Sequence, residues 1–373
     1  MMIQFRDLQR QYAALKPDID DAIARVCASA HFIGGDEVSA LEGELADFVG
    51  ATHCVSCANG TDALSLALMA WGIGPGDAVF VPDFTFFATA EAPAHIGATP
   101  VLVDVGAQTY NIDPQKLEQA IQAVIEEGSL VPKVVVAVDL FGLPADYPAI
   151  RCICNNYGLL ILEDAAQAFG GSYKGQRACS FGDISTTSFF PAKPLGCYGD
   201  GGAVFTDNDE WASLMRSYAV HGKGSMKYDN VRVGINSRLD AVQAAILRVK
   251  LAAFKDHELD AINKAADYYH ASLEGSGCGL PVVPAGYYSS WAQYTVRLPK
   301  GVDRDAVQER LKGQGIPTMV YYPKPLHQQP ALKGVARRFD DNEASSALCQ
   351  TVLSLPIHPY LEKGEMDRVV SGL

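Results

Sequence analysis

Short, mostly apolar segments alternate with helical patterns through the first half of the sequence, and this alternation restricts the fold more than any other feature. Such segments of strand length separated by helices are typical of a mostly parallel sheet covered on both faces. The apolar segments are His53–Cys57, Val79–Pro82, Val101–Asp104, Val134–Asp139 and Leu159–Glu163. The sequence therefore predicts an α/β fold, in which ligands bind beyond the carboxyl ends of the strands.

The pattern changes after about residue 250. Trp291–Leu298 alternates as a strand does, Asp303–Gly313 has a helical period, and Thr318–Tyr322 reads as a further strand. With 373 residues, 48% of them hydrophobic, the chain is long enough to form two cores. We therefore predict a large domain, residues 1–250, and a small C-terminal α/β domain, residues 251–373. A helix predicted within residues 8–30 is expected to pack on the small domain.

Three predicted strand ends carry groups that could bind a ligand. Residues 59–62, Asn-Gly-Thr-Asp, stand between a strand and a helix, where free backbone N–H groups and the helix dipole favour an anion. The same residue types also cap ordinary helices. Phe84 and Phe86 follow the next strand and offer aromatic faces. Asp164 ends an apolar strand, where a helix cap is the alternative function of its carboxylate.

A fourth strand end carries a lysine between two prolines. Residues 191–194, Pro-Ala-Lys-Pro, follow the strand-like segment Ile184–Phe190 and precede four glycines within eight residues. The prolines exclude a helix, and the glycines allow close backbone approach. An isolated lysine on such a turn is usually solvated. The other three strand ends favour an inward orientation for Lys193.

An anion cradle, an aromatic face, a carboxylate and an inward lysine together form the set that pyridoxal phosphate (PLP) requires. The lysine bonds the cofactor aldehyde, the carboxylate keeps the ring nitrogen protonated, and a helix terminus holds the phosphate. A nicotinamide enzyme would instead carry a Gly-x-Gly-x-x-Gly turn after its first strand, and this sequence has none there. The constellation therefore predicts a PLP enzyme.

Composition excludes several other classes. The net charge is −13 without a basic run, which argues against nucleic acid and anionic membranes as partners. No segment approaches the ~20 apolar residues of a membrane span, and the first residues do not resemble a signal peptide. Nine scattered cysteines suit a reducing cytoplasm, and Cys54 and Cys57 lack a second pair, so no metal site is predicted.

Over nearly its whole length the sequence resembles the DegT/DnrJ/EryC1/StrS family of PLP-dependent nucleotide-sugar aminotransferases, which have fold type I. Many motifs in a fixed order make this resemblance specific. They are FRDLQRQYAALKPDI, FIGGDEVSALE, ANGTDAL, PDFTFFAT, EDAAQAFG, SFFPAKPLGCYGDGGA, GINSRLDAVQAAIL and LSLPIHPYL.

The resemblance implies a role for each motif residue. Lys193 would hold PLP and shuttle the proton, and Asp164 would face the pyridine nitrogen. Gln167 would bond the ring hydroxyl, and Phe86 would stack on the ring. The phosphate contacts would come from Gly60, Thr61, Ser188 and, from the neighbouring subunit, Asn236. The last contact implies a homodimer with shared active sites.

Within the family, three of the motifs most resemble enzymes that aminate C3 of UDP-2-acetamido-2-deoxy-3-oxo-glucuronate with L-glutamate, in surface-polysaccharide (O-antigen) biosynthesis. Dehydratases of the family replace the lysine by histidine, so Lys193 favours transamination. A 4-keto or dTDP-3-keto sugar aminotransferase, a sugar dehydratase and a non-catalytic regulatory protein of this fold are the alternatives. The complete set of Lys193, Asp164 and Gln167 argues against the last.

The substrate pocket is where the sequence departs from those relatives. Tyr321 and Tyr322 precede Pro323 where the relatives tend to have His-Tyr-Pro, at a position expected near the sugar. His327 is expected to line the same pocket, with a surface turn as an equal alternative. Arg238 is expected to bind a substrate carboxylate, unless it forms a structural ion pair with Asp240.

Overall fold

The computed structural model describes residues 2–226 and 228–373, and thirteen strands are assigned within them. They are β1 His53–Cys57, β2 Asp77–Pro82, β3 Thr99–Val103, β4 Val131–Val138, β5 Leu160–Asp164, β6 Ser172–Tyr173, β7 Gln176–Arg177, β8 Ile184–Ser188, β9 Gly202–Thr206, β10 Tyr287–Tyr288, β11 Tyr294–Arg297, β12 Arg337–Arg338 and β13 Val352–Leu355. Eight of them form one sheet in the order β1-β9-β8-β5-β4-β2-β3-β12.

Six strands of this sheet run parallel to one another: β8, β5, β4, β2, β3 and β12. Strand β9 pairs antiparallel with both β1 and β8, so β1 runs in the same direction as β8. The predicted mostly parallel sheet is confirmed. The antiparallel β9 was not predicted, because the apolar pattern of a segment such as Gly202–Thr206 does not indicate whether it pairs parallel or antiparallel with its neighbours.

Twelve α-helices are assigned within the same described residues. They are α1 Leu8–Ser29, α2 Asp36–Val49, α3 Gly60–Ala70, α4 Ala88–His95, α5 Pro114–Glu127, α6 Tyr147–Tyr157, α7 Asp209–Tyr218, α8 Ala241–Ala253, α9 Leu259–Leu273, α10 Arg304–Gly313, α11 Glu343–Thr351 and α12 Lys363–Gly372. Three 3-10 turns cover Leu140–Gly142, Leu326–Gln328 and Pro330–Leu332, and a π-helical turn, Phe254–Glu258, joins α8 to α9. In this part of the chain no helix has the length and apolarity needed to cross a bilayer.

Two hydrophobic cores lie on opposite faces of the large sheet. Phe80 of β2 packs in one core, while its neighbours Val79 and Val81 pack in the other. Ile161 and Leu162 of β5 divide in the same way. Because successive side chains of a strand point to opposite faces, a strand buried on both faces must be apolar throughout. This explains the continuous apolar segments of the sequence.

A third core belongs to the C-terminal part. It gathers Tyr269 of α9, Tyr294 of β11, Leu353 of β13 and Val369 of α12, and Ile3 is buried in it as well. The division of the chain after residue 250 stays a prediction; α8 runs across that position. Helix α1 packs on α8 and reaches α12, because Arg10 bonds Glu365 at 2.8 Å.

The strand predicted over Thr318–Tyr322 is wrong. Only Met319 pairs, and it exchanges backbone hydrogen bonds of 3.1 and 2.8 Å with Ser354 of β13. Pro317 and Pro323 flank the segment and cannot donate to a ladder, so the pairing stays limited to one residue.

Candidate active site

The predicted ligand groups lie at one edge of the large sheet. Strands β1, β2, β5 and β8 run in one direction, so their carboxyl ends meet at that edge. Residues 59–61 follow β1, Phe84 and Phe86 follow β2, Asp164 ends β5, and Ser188 ends β8. Lys193 follows β8 on a loop. The topology therefore gathers groups that are far apart in sequence, as predicted.

The start of α3 forms a narrow cradle with free N–H groups. The Asn59 side chain caps the helix by accepting from the Asp62 N–H at 2.8 Å. Among the hydrogen bonds of the described residues, none uses the N–H of Gly60 or Thr61. A Cβ at Gly60 would lie 2.8 Å from the Ser188 Cβ, so only glycine fits between α3 and β8. Two N–H groups thus remain for an anion such as a phosphate.

Asp164 is fixed and nearly buried, with 6% of its surface exposed. Its Oδ2 accepts from the Thr89 hydroxyl at 2.9 Å, and its Oδ1 accepts from the Ala166 N–H at 3.3 Å. Burial raises the pKa of the Asp164 carboxyl, while these hydrogen bonds and the nearby Lys193 act in the opposite direction. Turns rather than a helix follow β5, so Asp164 does not cap a helix.

The Lys193 loop is held by its own backbone. The Lys193 N–H donates to the Phe190 carbonyl and the Cys197 N–H to the Phe189 carbonyl, both at 2.8 Å. The side chain is half-buried, and burial lowers the pKa of the Lys193 amine to about 8, with Asp164 acting against this shift and Arg6 with it. The neutral, nucleophilic fraction of the amine near neutral pH is therefore larger than that of an ordinary exposed lysine.

Gln167 and Tyr322 form a fixed pair beside these groups. The Gln167 Oε1 accepts from the Phe141 N–H at 2.8 Å, and its Nε2 donates to the Tyr322 hydroxyl at 2.9 Å. The amide retains one further N–H for a ligand. Burial raises the pKa of Tyr322, so its phenol stays neutral. Phe86 lies 6.3 Å from the Tyr322 ring and is 54% exposed, which leaves an aromatic face open.

Tyr321 and His327 are anchored by different parts of the chain. The Tyr321 ring lies 6.2 Å from that of Phe5, which precedes α1. His327 donates its backbone N–H to the buried Asp83 at 2.8 Å, and its Nδ1 contacts the other oxygen of Asp83. His327 is thus held at the end of β2 by a carboxylate rather than standing free on a surface turn.

Among the described hydrogen bonds and ion pairs, none joins Asn236 or Arg238 to these groups within one chain. Both are exposed, and Arg238 lines an open depression of about 720 Å³ with His221 and Lys223. Among the ion pairs of the described residues, none joins Arg238 to Asp240. Ser237 between them is buried, and its hydroxyl accepts from the Ala58 N–H at 3.0 Å, which fixes this loop against the end of β1.

Two residues at this edge were not predicted. Thr89 bonds Asp164, and it follows Thr85 by one helical turn, with 3.2 Å between their hydroxyls. The spacing of Thr85 and Thr89 in the sequence could have indicated that their hydroxyls lie on one side of the helix start. Arg6 donates from Nη2 to the Lys193 carbonyl at 3.0 Å across 187 residues of sequence. No local sequence pattern predicts a contact over such a separation.

These residues fit PLP. The free N–H groups of the α3 start suit its phosphate, and Asp164 suits its ring nitrogen. The exposed face of Phe86 suits its ring, and the partly neutral Lys193 suits its aldehyde.

Comparison with known proteins leads to the same cofactor. A profile of the DegT/DnrJ/EryC1/StrS aminotransferase family matches residues 14–373. The chain is 47% identical over 372 residues to the UDP-2-acetamido-2-deoxy-3-oxo-D-glucuronate aminotransferase of Pseudomonas aeruginosa, covering 100% of this chain and 99% of the relative. It is 42% identical over 368 residues to the UDP-N-acetyl-3-dehydro-alpha-D-glucosamine 3-aminotransferase of Acidithiobacillus ferrooxidans, covering 98% and 95%.

Solved structures agree with these sequence matches. A DegT DnrJ EryC1 StrS aminotransferase from Brucella abortus superposes with a TM-score of 0.96 at 47% identity, over 99% of this chain and 98% of that one. The sugar aminotransferase Spr1654 of Streptococcus pneumoniae, solved in PMP and PLP forms, superposes in both with a TM-score of 0.87 at 25% and 26% identity, over 95% of this chain and 95% and 94% of that one. The chain therefore belongs to the DegT/DnrJ/EryC1/StrS aminotransferase family and is a PLP-dependent aminotransferase of fold type I.

Proposed function

We propose that this aminotransferase moves an amino group from L-glutamate to C3 of UDP-2-acetamido-2-deoxy-3-oxo-glucuronate, for the synthesis of surface polysaccharides such as O-antigen. The observation that carries the amino transfer is the position of a half-buried Lys193 and an anchored Asp164 at one sheet edge. The acceptor is inferred from the 47% identity to the Pseudomonas aeruginosa enzyme of that name.

The residues at the sheet edge divide the work between them. Lys193 would hold PLP and move the proton at the donor carbon, and Asp164 would face the ring nitrogen. Gln167 would bond the ring hydroxyl through its remaining N–H, and Phe86 would cover one face of the ring. When bound, PLP supplies the electron sink for amino transfer. The phosphate would be held by Gly60, Thr61 and Ser188, with Asn236 of a second subunit.

A homodimer with shared sites is part of this proposal. Val233 is 92% exposed and Val231 54% exposed on the loop that leads to Asn236. Phe32 and Ile33 are also exposed, and both bond to the residues that open α8. Clustered exposed apolar residues are typical of an interface. All nine cysteines are free, which suits the cytoplasmic location that we propose.

The acceptor side is assigned to Tyr321, Tyr322, His327 and Arg238. Tyr322 and His327 are held by Gln167 and Asp83, so both are positioned before a substrate binds. Arg238 has an exposed guanidinium, and its planar fork can pair with both oxygens of a C6 carboxylate. We propose that Arg238 recognises the sugar acid in the partner subunit's site.

A panel of acceptors tests the proposal. The purified protein is assayed with L-glutamate and three acceptors: the UDP-linked 3-keto uronic acid, the neutral UDP-linked 3-keto sugar, and a dTDP-linked 3-keto sugar. We expect the acid to give the highest kcat/KM. A preference for either neutral sugar would contradict the proposed acceptor while leaving the aminotransferase activity intact.

Arg238→Ala tests the carboxylate contact in the same assay. We expect a loss of about 3 kcal/mol of transition-state binding, on the order of 100-fold in kcat/KM, on the acid alone. The control is Arg25→Ala, which removes an exposed arginine whose only described ion pair is with Asp21. Equal losses on the acid and the neutral sugar would instead indicate a structural or phosphate role, and no loss would refute the assignment.

A further inference from the structure

Arg6 contacts the lysine loop from a distant part of the chain. It directly precedes α1, and its Nη2 donates to the Lys193 backbone carbonyl at 3.0 Å. The side chain is half-buried, and its Nη1 is enclosed without a hydrogen-bond partner among the described residues. One end of the guanidinium is therefore committed to the loop that carries the reactive amine.

The positive charge of Arg6 is not neutralised by a direct partner. In the described part of the chain no carboxylate forms an ion pair with it, and the acidic groups that act on it from a distance are Glu258 and Tyr321. The Glu258 carboxylate is already bonded by Gln11 at 2.9 Å and by Tyr360 at 2.8 Å. Burial lowers the pKa of Arg6 to about 10, so the guanidinium remains charged at neutral pH.

A small cavity beside Arg6 has room for about one water molecule, and its lining includes Asp7, Gln11, Lys193 and His358. The Asp7 carboxylate pairs with Arg10, whose Nε lies 3.3 Å from Asp7 Oδ2. The Gln11 Oε1 and the His358 Nδ1 are also without partners. A water molecule in this cavity is neutral, so it would leave the charge of Arg6 in place.

The other charged groups around Lys193 act in different directions. Asp164 at the end of β5 favours the protonated amine, and Arg6 disfavours it. Behind Arg6 lie Lys250, which donates to the Gly196 carbonyl of the same loop, and His358, whose pKa burial lowers to about 4. His358 is therefore neutral near pH 7. Both Arg6 and Lys250 contact the lysine loop, but Arg6 bonds Lys193 itself and is the cation that acts on its amine against Asp164.

We propose that Arg6 is a positioning residue for amino transfer: it fixes the backbone of Lys193, and its positive charge favours the unprotonated form of the Lys193 nitrogen. The inference rests on the proposed role of Lys193. The reaction needs an ionised Asp164 and a neutral Lys193, because a lysine acts as nucleophile and base only when it is unprotonated. The negative charge of Asp164, however, stabilises the protonated form of Lys193. A fixed cation on the other side of Lys193 offsets the effect of Asp164 without touching Asp164 itself.

The test is a pH titration of the visible absorbance of the PLP-loaded protein, whose midpoint reports protonation of the Lys193 nitrogen bonded to the cofactor. Arg6→Gln removes the cation, so we expect its midpoint to rise by about one pH unit. Arg6→Lys retains a cation, and its midpoint should stay close to that of the parent. The control is Arg10→Gln, because Glu365 at 2.8 Å already neutralises Arg10, and we expect no shift.

Two results would overturn the inference: an unshifted Arg6→Gln, or an Arg6→Lys that shifts as far as Arg6→Gln. Should Arg6→Gln fail to fold, Arg6→Met removes the same charge with a similar chain length. Borohydride reduction followed by peptide mapping identifies the lysine that carries PLP. A cofactor on another lysine would refute the proposed role of Lys193, which separates that failure from an absent charge effect.

Discussion

Asp139 and Glu163 are two fully buried carboxyl groups directly behind Asp164. Asp139 donates its backbone N–H to the Asp164 carbonyl at 3.0 Å, and Glu163 precedes Asp164 in β5. Glu163 accepts four hydrogen bonds, which favour its ionised form; the donors are the N–H groups of Cys179, Phe181 and Gly182 and the Ser185 hydroxyl. Burial, and then the charge of Glu163, raises the pKa of Asp139 well above its usual value. Burial raises the pKa of Glu163 as well, but the four hydrogen bonds oppose that shift, so we predict that Asp139 is the protonated member of the pair.

The protonation of Asp139 leads to a prediction for the stability of the Asp139→Asn variant. A carboxyl whose pKa is raised on folding contributes stability below its unfolded pKa of about 4, and that contribution is lost as the pH rises through the folded pKa. Asparagine stays neutral and can accept the same bonds from Ala145 and Tyr147. The free energy of unfolding of the variant, relative to the parent, should therefore increase by up to about 1.4 kcal/mol per pH unit above pH 4.

Urea unfolding at pH 5, 7 and 9 measures this difference. The matched control is Asp18→Asn on α1, whose side chain is exposed. We expect the control to differ from the parent by the same amount at each pH. A difference between Asp139→Asn and the parent that does not change with pH would show that Asp139 is ionised in the folded protein.

The sequence predicted the site residues unevenly at this scale. Lys193 and Asp164 follow strands and stand in unusual local patterns, so both could be named, and their roles stay predictions. Asp139 also stands at a strand end, directly after β4, so its position could be predicted. Its protonation depends on how deeply the folded chain buries it, which a local sequence pattern does not indicate. Arg6 acts across 187 residues, and only the folded chain brings it to Lys193.

At the scale of elements, the site depends on how closely α3 approaches β8 and β9. A Cβ at Gly202 would lie 2.5 Å from the Asn59 carbonyl oxygen, closer still than the 2.8 Å between a Cβ at Gly60 and Ser188. Neither neighbour is the far end of a flexible side chain, so a larger residue must displace the helix start. The position of the free N–H groups is therefore set by two glycines on different elements.

Gly60→Ala should weaken PLP binding for this reason. We expect a loss of about 1–3 kcal/mol in stability from overpacking, and a PLP Kd raised about tenfold or more because the N–H groups move. Absorbance titration of the cofactor-free protein with PLP gives the Kd. Gly43→Ala in α2 is the control: a Cβ there meets nothing within 4 Å, and helix propensity predicts a gain of about 0.5–1 kcal/mol. An unchanged Kd for Gly60→Ala would contradict the phosphate assignment.

The elements themselves were predicted where the pattern was continuous. Segments buried on both faces of the sheet are apolar throughout, so β1 to β5 could be identified before their partners were known. Thr318–Tyr322 has the same alternation as a strand but lies between prolines and pairs at one residue. Whether an alternating segment finds a partner depends on its neighbours in space, which the local pattern does not give.

At the scale of the whole molecule, two predicted site residues form no hydrogen bond with the other site residues among the described contacts of one chain. Asn236 and Arg238 are exposed on a loop that Ser237 fixes against the end of β1. The same region exposes Val231 and Val233. A loop that is fixed at its centre, with polar side chains directed outward among apolar ones, is suited to contact a second copy. The proposed dimer would complete each site in this way.

Mixed dimers test whether the sites are shared. If each site takes Lys193 from one chain and Asn236 from the other, Lys193→Ala and Asn236→Ala should each be inactive alone. A mixed dimer of the two variants would contain one site with both changes and one intact site. Random mixing in equal amounts makes half of the dimers mixed, so activity should return to about a quarter of the parent's.

A second pair of variants separates shared sites from simple stabilisation. This pair is Lys193→Ala mixed with Asp164→Asn. Lys193 and Asp164 contribute to the same site from one chain, so every site of a mixed dimer carries one of the two changes and none is intact. That pair should remain inactive under the conditions that restore the first. Activity is measured with L-glutamate and the keto sugar in the unseparated mixture after exchange, and different affinity tags on the two chains confirm that mixed dimers have formed. Absence of recovery in the first pair, with Asn236→Ala inactive alone, would place Asn236 in its own chain's site. Recovery in both pairs would mean that the measured activity arises from something other than the exchange of Asn236 between subunits.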